Sequence, residues 1–232
     1  MATLGLIPAR GGSKRAPGKN LAVLGGRTLV RRAVDCGLAS GALDCLVLSS
    51  DDPAILDEGE GIDGLELLAR PAELATDSAL AVDVARHALD AMEAQGRGPF
   101  SALALIQCTS PFTAPEDIAA TVKLVTHDGG RSAVSVTQAD QSVHPLRLKR
   151  IEAGRILPFL EDDAMAPAHA LPELWIRNGS IYVCSREVLF GGSLVDPDDT
   201  RAHPMPAERS LDVNTPLDLA FAEFLIDRGA AV

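Results

Sequence analysis

The chain has 232 residues, 47% apolar and 23% charged, with a formal net charge of −11 and 3% aromatic residues. That length suits one or two domains with a large core, and the composition is that of a globular α/β protein. The negative charge and the few stacking rings exclude a general nucleic-acid binder, and no apolar run approaches the roughly 18–20 residues that span a bilayer.

Thr3–Ile7 is a short apolar run closed by Pro8, a buried strand by its length. Residues 10–19 then hold Arg10, Lys14, Arg15 and Lys19 among glycines, with no carboxylate. Thr28–Ser40 has apolar residues at helical spacing, Thr28 as a cap and Gly41 as a stop. Cys45–Leu48 reads as the next strand, followed by the turn Ser49–Asp52 and a short helix from Pro53. Leu65–Leu68 is a third strand, Ser78–Glu93 a strong helix, and Ala102–Gln107 a strand running into Thr109-Ser110-Pro111. A helix from Pro115 to about Thr126 and a strand over Ser132–Val136 complete the alternation.

Between 138 and 175 the pattern breaks on Pro145, Pro158, Pro167 and Pro172, as expected of an inserted arm or a long loop. Regularity returns at Asn178-Gly179 and the strand Ser180–Cys184. Thr215 then caps a helix that opens on Pro216 and runs through Ile226. Steady strand–helix alternation implies a mostly parallel sheet with helices on both faces. Ligands of such sheets sit beyond the carboxyl ends of the strands, so the basic loop, Ser49–Asp52 and Gln107–Pro111 are expected at one edge. The whole chain, 1–232, reads as a single domain with an arm. MATLGLIPAR lacks a secretory leader's basic segment, and Cys36, Cys45, Cys108 and Cys184 show no C-x-x-C spacing. Both features point to a reducing cytoplasm.

The basic loop is neither of the common phosphate loops. Five residues separate Gly12 from Gly18, Lys19 is followed by Asn20, and G-x-G-x-x-G is absent. Its chemistry still suits a small, dense anion: Gly11 and Gly12 let backbone amides approach oxygens closely, and Pro17 stiffens the loop that presents Lys14 and Lys19.

The segment IPARGGSKRAPGKN resembles the N-terminal signature of the CMP-sialic acid synthetase family (acylneuraminate cytidylyltransferases), whose relatives include CMP-Kdo synthetases. Further blocks occur in the family's order: Arg70-Pro71-Ala72-Glu73-Leu74-Ala75 with Asp77, Gln107-Cys108-Thr109-Ser110-Pro111, Asn178-Gly179-Ser180-Ile181-Tyr182, and Asp212 before Thr215-Pro216. The resemblance implies a Rossmann-like nucleotidyltransferase fold, with a protruding arm through which such enzymes pair as homodimers. It also implies transfer of CMP from CTP to an acidic small-molecule acceptor, with release of pyrophosphate.

On that resemblance Arg10 and Lys14 neutralise the triphosphate and the leaving pyrophosphate, and Lys19 is expected nearer the α-phosphate. Ala9, Gly11, Gly12, Asn20, Arg70, Asp77 and Gln107 form the nucleotide site. Asp212 is the candidate ligand for Mg²⁺ or Mn²⁺, against a plain role in the approach to the last helix. Thr109, Ser110, Arg177 and Asn178 are expected on the acceptor side.

Departures from the family pattern concentrate there. Phe112-Thr113 stands where relatives carry an arginine, and Pro167-Ala168-His169-Ala170 spans the place of another. Arg177, Arg147 or Lys149 are the available substitutes for gripping a carboxylate; His144 and His169 read first as structural or surface residues. Ala81 replaces an expected serine, and Asn214 replaces a second aspartate. Three further readings stay open at this point: a different acceptor such as a small phosphonate, a nucleotide-binding homologue with impaired catalysis, and a scaffold whose charged loop binds a partner.

Overall fold

In the computed structural model, which describes residues 1–12, 17–160 and 171–229, the first apolar run forms strand β1 (Thr3–Pro8). Beyond the basic loop, β2 (Val23–Leu24) and β3 (Arg27–Thr28) make a small hairpin that leads into helix α1 (Leu29–Ala39). The Thr28 hydroxyl accepts from the Arg31 N–H, satisfying one amide that a helix start leaves open. Next come β4 (Cys45–Ser50), α2 (Pro53–Asp57), β5 (Leu65–Ala69), α3 (Ala81–Ala94), β6 (Ala102–Ile106), α4 (Pro115–Thr126) and β7 (Ser132–Gln138). The remainder comprises the hairpin β8 (Lys149–Glu152) and β9 (Arg155–Pro158), then β10 (Trp175–Ser185), α5 (Arg186–Phe190), β11 (Thr200–Pro204) and α6 (Pro216–Asp227).

Seven strands form one sheet in the order β11-β7-β10-β6-β1-β4-β5. β10 runs antiparallel to both of its neighbours, and the other pairings are parallel. The period of two along each strand divides its side chains between two cores. Ala102, Ala104 and Ile106 of β6 face α1 and α4, whereas Leu103 and Leu105 join the cluster under α3 and α5. A third cluster packs Ala222 of α6 on Leu24, Leu29, Phe112 and Val213. Helices therefore cover both faces, as the alternation implied. Among the described residues no helix is long and apolar enough to cross a membrane.

Two expected boundaries are corrected and one strand is added. The helix expected from Ser78 starts at Ala81, because the Ser78 and Thr76 hydroxyls bond each other at 3.2 Å outside it. The strand expected over Ser180–Cys184 begins at Trp175, with its register shifted between Arg177 and Tyr182, where Gly179 takes φ 82°. β11 had no apolar alternation to announce it; it is an edge strand, largely exposed and ending on Pro204. Within the expected arm, β8 and β9 pair as a separate two-stranded sheet.

Candidate active site

A cleft of about 660 Å³ opens where the carboxyl ends of β1, β4, β5 and β6 meet the middle of β10. Its polar wall carries Arg10, Lys19, Asn20, Arg70, Asp77, Gln107, Thr109, Asp212 and Asn214, and Leu74, Ala81, Val84 and Tyr182 contribute to its apolar side. The early basic loop and the late aspartate thus share one cavity, although 194 positions separate Lys19 from Val213.

The basic loop leaves β1 under tight control. The Ala9 N–H donates to the Ser49 carbonyl of β4 at 3.0 Å, and the Asn20 amide nitrogen donates to the Arg10 carbonyl at 2.8 Å. The Cys108 thiol donates to Asn20 Oδ1 at 3.1 Å. Both ends of the Asn20 amide are therefore engaged in closing the loop, and burial pushes the Cys108 thiol up to about 11. The Gly11 N–H donates to Asp51 Oδ1 at 3.1 Å. A Cβ on Gly11 would lie 2.6 Å from an Asp52 carboxylate oxygen, so only glycine fits there. Gly12 lines an adjoining recess with Arg10, Pro17 and Thr76. Lys14 lies outside the described residues.

Arg10 enters the cleft paired, its Nη1 2.8 Å from Asp77 Oδ1. Arg70 is buried, and its guanidinium donates to the Ser49 hydroxyl at 3.2 Å and the Ser49 carbonyl at 2.6 Å. Burial lowers the Arg70 pKa while the nearby Asp51 opposes that shift. The Gln107 N–H bonds the Ser180 carbonyl, which leaves its side chain on the cleft wall.

Opposite, the residues 212–214 are held by Val213. Its side chain is buried in the third cluster, its N–H donates to the Thr109 carbonyl at 2.8 Å, and its carbonyl accepts from Lys19 Nζ at 3.2 Å. Lys19 Nζ also donates to Asn214 Oδ1 at 3.3 Å, and Asn214 Nδ2 donates to Asp212 Oδ2 at 2.7 Å. Asp212 Oδ1 is buried and, among the described residues, has no hydrogen-bond partner. Such a carboxylate oxygen in a cleft that also holds Arg10 and Lys19 fits a divalent cation completed by phosphate oxygens and water. Among the described residues no group of three or more His, Cys, Asp or Glu side chains could hold a metal by itself.

The expected acceptor side is only partly assembled. Thr109 lines the cleft. Ser110 is buried off it, with its hydroxyl unpartnered among the described residues. The Asn178 amide is taken up inside the fold, accepting from the Ser135 hydroxyl at 2.6 Å and donating to the Ser210 hydroxyl at 2.9 Å. Arg177 lies exposed on β10 across from Val136 and away from the cleft lining. Arg147 and Lys149 belong to the arm, and Ala168 and His169 lie outside the described residues. Thr113 bonds the Ser180 hydroxyl at 2.5 Å and the Ser110 carbonyl at 2.8 Å, behind the cleft lining. Sequence reasoning placed the Ser49–Asp52 turn at this edge but gave no role to Ser49 and Asp51, which anchor Ala9, Arg70 and Gly11. The polar run Ser49-Ser50-Asp51-Asp52 directly after a buried strand was the signal that could have found them.

Residues 4–152 match the family model described as cytidylyltransferase. The chain is 30% identical over 232 residues to CMP-N,N'-diacetyllegionaminic acid synthase of Legionella pneumophila, an alignment that covers 98% of this chain and 97% of that protein. It is 23% identical to pseudaminic acid cytidylyltransferase of Campylobacter jejuni, covering 97% and 96%. With N-acylneuraminate cytidylyltransferase of Streptococcus agalactiae serotype III it shares 27% identity over 90% of this chain, but that is 50% of the longer relative. Two solved structures have the same fold. A CMP-2-keto-3-deoxy-manno-octonic acid synthetase complexed with CTP superposes with TM-score 0.69 at 18% identity, covering 99% of this chain and 100% of that one. A 4-diphosphocytidyl-2C-methyl-D-erythritol synthase gives 0.68 at 13%, covering 97% and 99%.

Proposed function

The chain belongs to the cytidylyltransferase family, and on that footing we propose that it transfers CMP from CTP to the anomeric oxygen of a nonulosonic acid, with release of pyrophosphate. The observation that carries this reading is the meeting of Arg10 and Lys19 with Asp212 in one cleft, at the strand ends where this fold class binds its ligands. The acceptor class comes from the relatives, named for legionaminic, pseudaminic and neuraminic acids.

The triphosphate lies against Arg10, Lys19 and the Gly12 end of the loop. An acceptor oxygen attacks the α-phosphorus in line, a new P–O bond forms, and the bond to the β-phosphate oxygen breaks as pyrophosphate departs. Positioning and charge neutralisation dominate such chemistry. Lys19 faces the negative charge that grows on the leaving group. Asp212 would hold Mg²⁺ or Mn²⁺, which when bound supplies further neutralisation at the phosphates. Arg70 and Gln107 frame the end of the cleft suited to a pyrimidine.

A nucleoside triphosphate substrate puts the reaction in the cytoplasm, which agrees with four free thiols. A homodimer built through the arm is supported by apolar side chains on β8 and β9: Ile151 is 78% exposed and Ile156 71%.

Pyrophosphate release tests the reading, measured with CTP and Mg²⁺ against nonulosonic acids, 2-keto-3-deoxy-octonate and small phosphonates. Turnover with a nonulosonic acid is expected. Lys19→Ala is expected to lower kcat about 10²–10³-fold, and Asp212→Ala to abolish turnover with the fold intact. Turnover only with a phosphonate would move the acceptor class. Absence of release with every acceptor, alongside CTP binding, would leave a nucleotide-binding protein.

A further inference from the structure

Asn214 lies between the two charged groups on which that reading rests. We propose that it is a positioning residue, whose amide keeps Lys19 and Asp212 from closing into an ion pair. The cation is thereby left for phosphate and the carboxylate for the metal.

Chemistry fixes the direction of the amide. An ammonium group only donates and a carboxylate only accepts, so Oδ1 must face Lys19 Nζ, at 3.3 Å, and Nδ2 must face Asp212 Oδ2, at 2.7 Å. A primary amide provides both functions on one neutral plane. A carboxylate, which the family pattern has at this position, would accept from Lys19 but could donate nothing to Asp212. A small apolar side chain would leave nothing between a cation and an anion in a partly buried cleft.

The amide is itself held from behind. The Asn214 N–H donates to Asp218 Oδ2 at 2.9 Å, and the same oxygen takes the Thr215 N–H at 2.8 Å in the capping box of α6. The spacer is therefore rigidly mounted on a helix start. Asp212 Oδ1, which the amide does not touch, stays without a partner among the described residues. Asn214 as a mere loss of ligand charge, which is how the sequence alone presents it, does not explain why both of its polar atoms are engaged in this way.

The test uses the full chain with Asn214→Ala, and Asn214→Ser as a second variant in case the first fails to fold, with thermal melting as the check on folding. In a crystal structure of either variant, Lys19 Nζ is expected to move to the Asp212 carboxylate. Mn²⁺ affinity of the CTP-bound protein, read by electron paramagnetic resonance, is expected to fall about 10–100-fold, as when a metal ligand loses its orienting partner. Adding Lys19→Met to Asn214→Ala is expected to restore that affinity, because Asp212 is then released. A merely structural role would not give this rescue. In turnover, kcat is expected to drop about a hundredfold while KM for CTP changes by less than about threefold. Lys19 staying on Val213 in the variant crystals, or Mn²⁺ affinity unchanged, or a loss that Lys19→Met does not reverse, would overturn the proposal. If the wild-type chain turned over no acceptor, the cytidylyltransferase reading would fall, and the crystallographic result would still decide the role of Asn214.

Discussion

Among the described residues, Arg10 is held in the cleft by a single weak partner. Its partner Asp77 is 44% exposed and Arg10 itself 35%, and an exposed pair of this kind contributes no more than about 1 kcal/mol. The pairing keeps the guanidinium extended without competing seriously with a triphosphate. Asp77→Asn is therefore expected to tighten CTP binding by up to about fivefold at low ionic strength, since it removes a competing carboxylate and a repelling charge. Titration calorimetry at two salt concentrations checks this; weaker binding would mean that Asp77 itself touches the nucleotide. The sequence marked Arg10, Asn20, Arg70, Asp77 and Asp212 as neighbours in one site, and all five line the cleft. Their pairings were not legible. The partners of Asn20 and Arg70 lie up to 88 positions away, and no local pattern of residues encodes which amide meets which carbonyl.

Helix α4 and edge strand β11 are joined through one buried carboxylate. Asp117 is 4% exposed at its side chain and accepts from Arg209 at 2.8 Å and from His203 at 3.0 Å, while its other oxygen takes the Ala114 N–H. Burial pushes the Asp117 carboxyl up, but the bonds from His203, Arg209 and Ala114 outweigh it and hold the group below its usual range. A depressed acid contributes stability that is fully present above its unfolded value, near pH 4, and lost as pH falls through the folded value. Asp117→Asn is expected to cost about 2 kcal/mol at neutral pH, and to flatten the stability curve below about pH 4 relative to the wild type. Urea denaturation between pH 3 and 7 checks both, and parallel curves would rule out the linkage. The Pro115 start of α4 was readable because a helix of twelve residues carries its own apolar period and its own first-turn signals. β11 was not, since an exposed edge strand of five residues is defined by the neighbour it pairs with.

For the whole molecule, strand–helix alternation was enough to predict a mostly parallel sheet covered on both faces, because each element buries an apolar face at its own period. The reversed β10 escaped that reasoning: a buried strand looks the same in sequence whichever way it runs. Ile151 and Ile156 face each other across β8 and β9, and an isolated two-stranded hairpin with exposed apolar pairs is marginal in water. Ile151→Asp combined with Ile156→Asp is expected to convert a dimer to a monomer in light scattering with the central sheet intact by circular dichroism. A wild-type chain that runs as a monomer would remove the homodimer from the account.

The tether from Lys19 to the Val213 carbonyl has a consequence for biosynthesis. On the ribosome the early basic loop emerges almost two hundred residues ahead of its counterpart, so a chain interrupted before Val213 carries every strand of the sheet and still lacks that tether. On the proposed function, turnover is expected only from a chain whose closing segment has docked, so that nucleotide turnover would report completed folding.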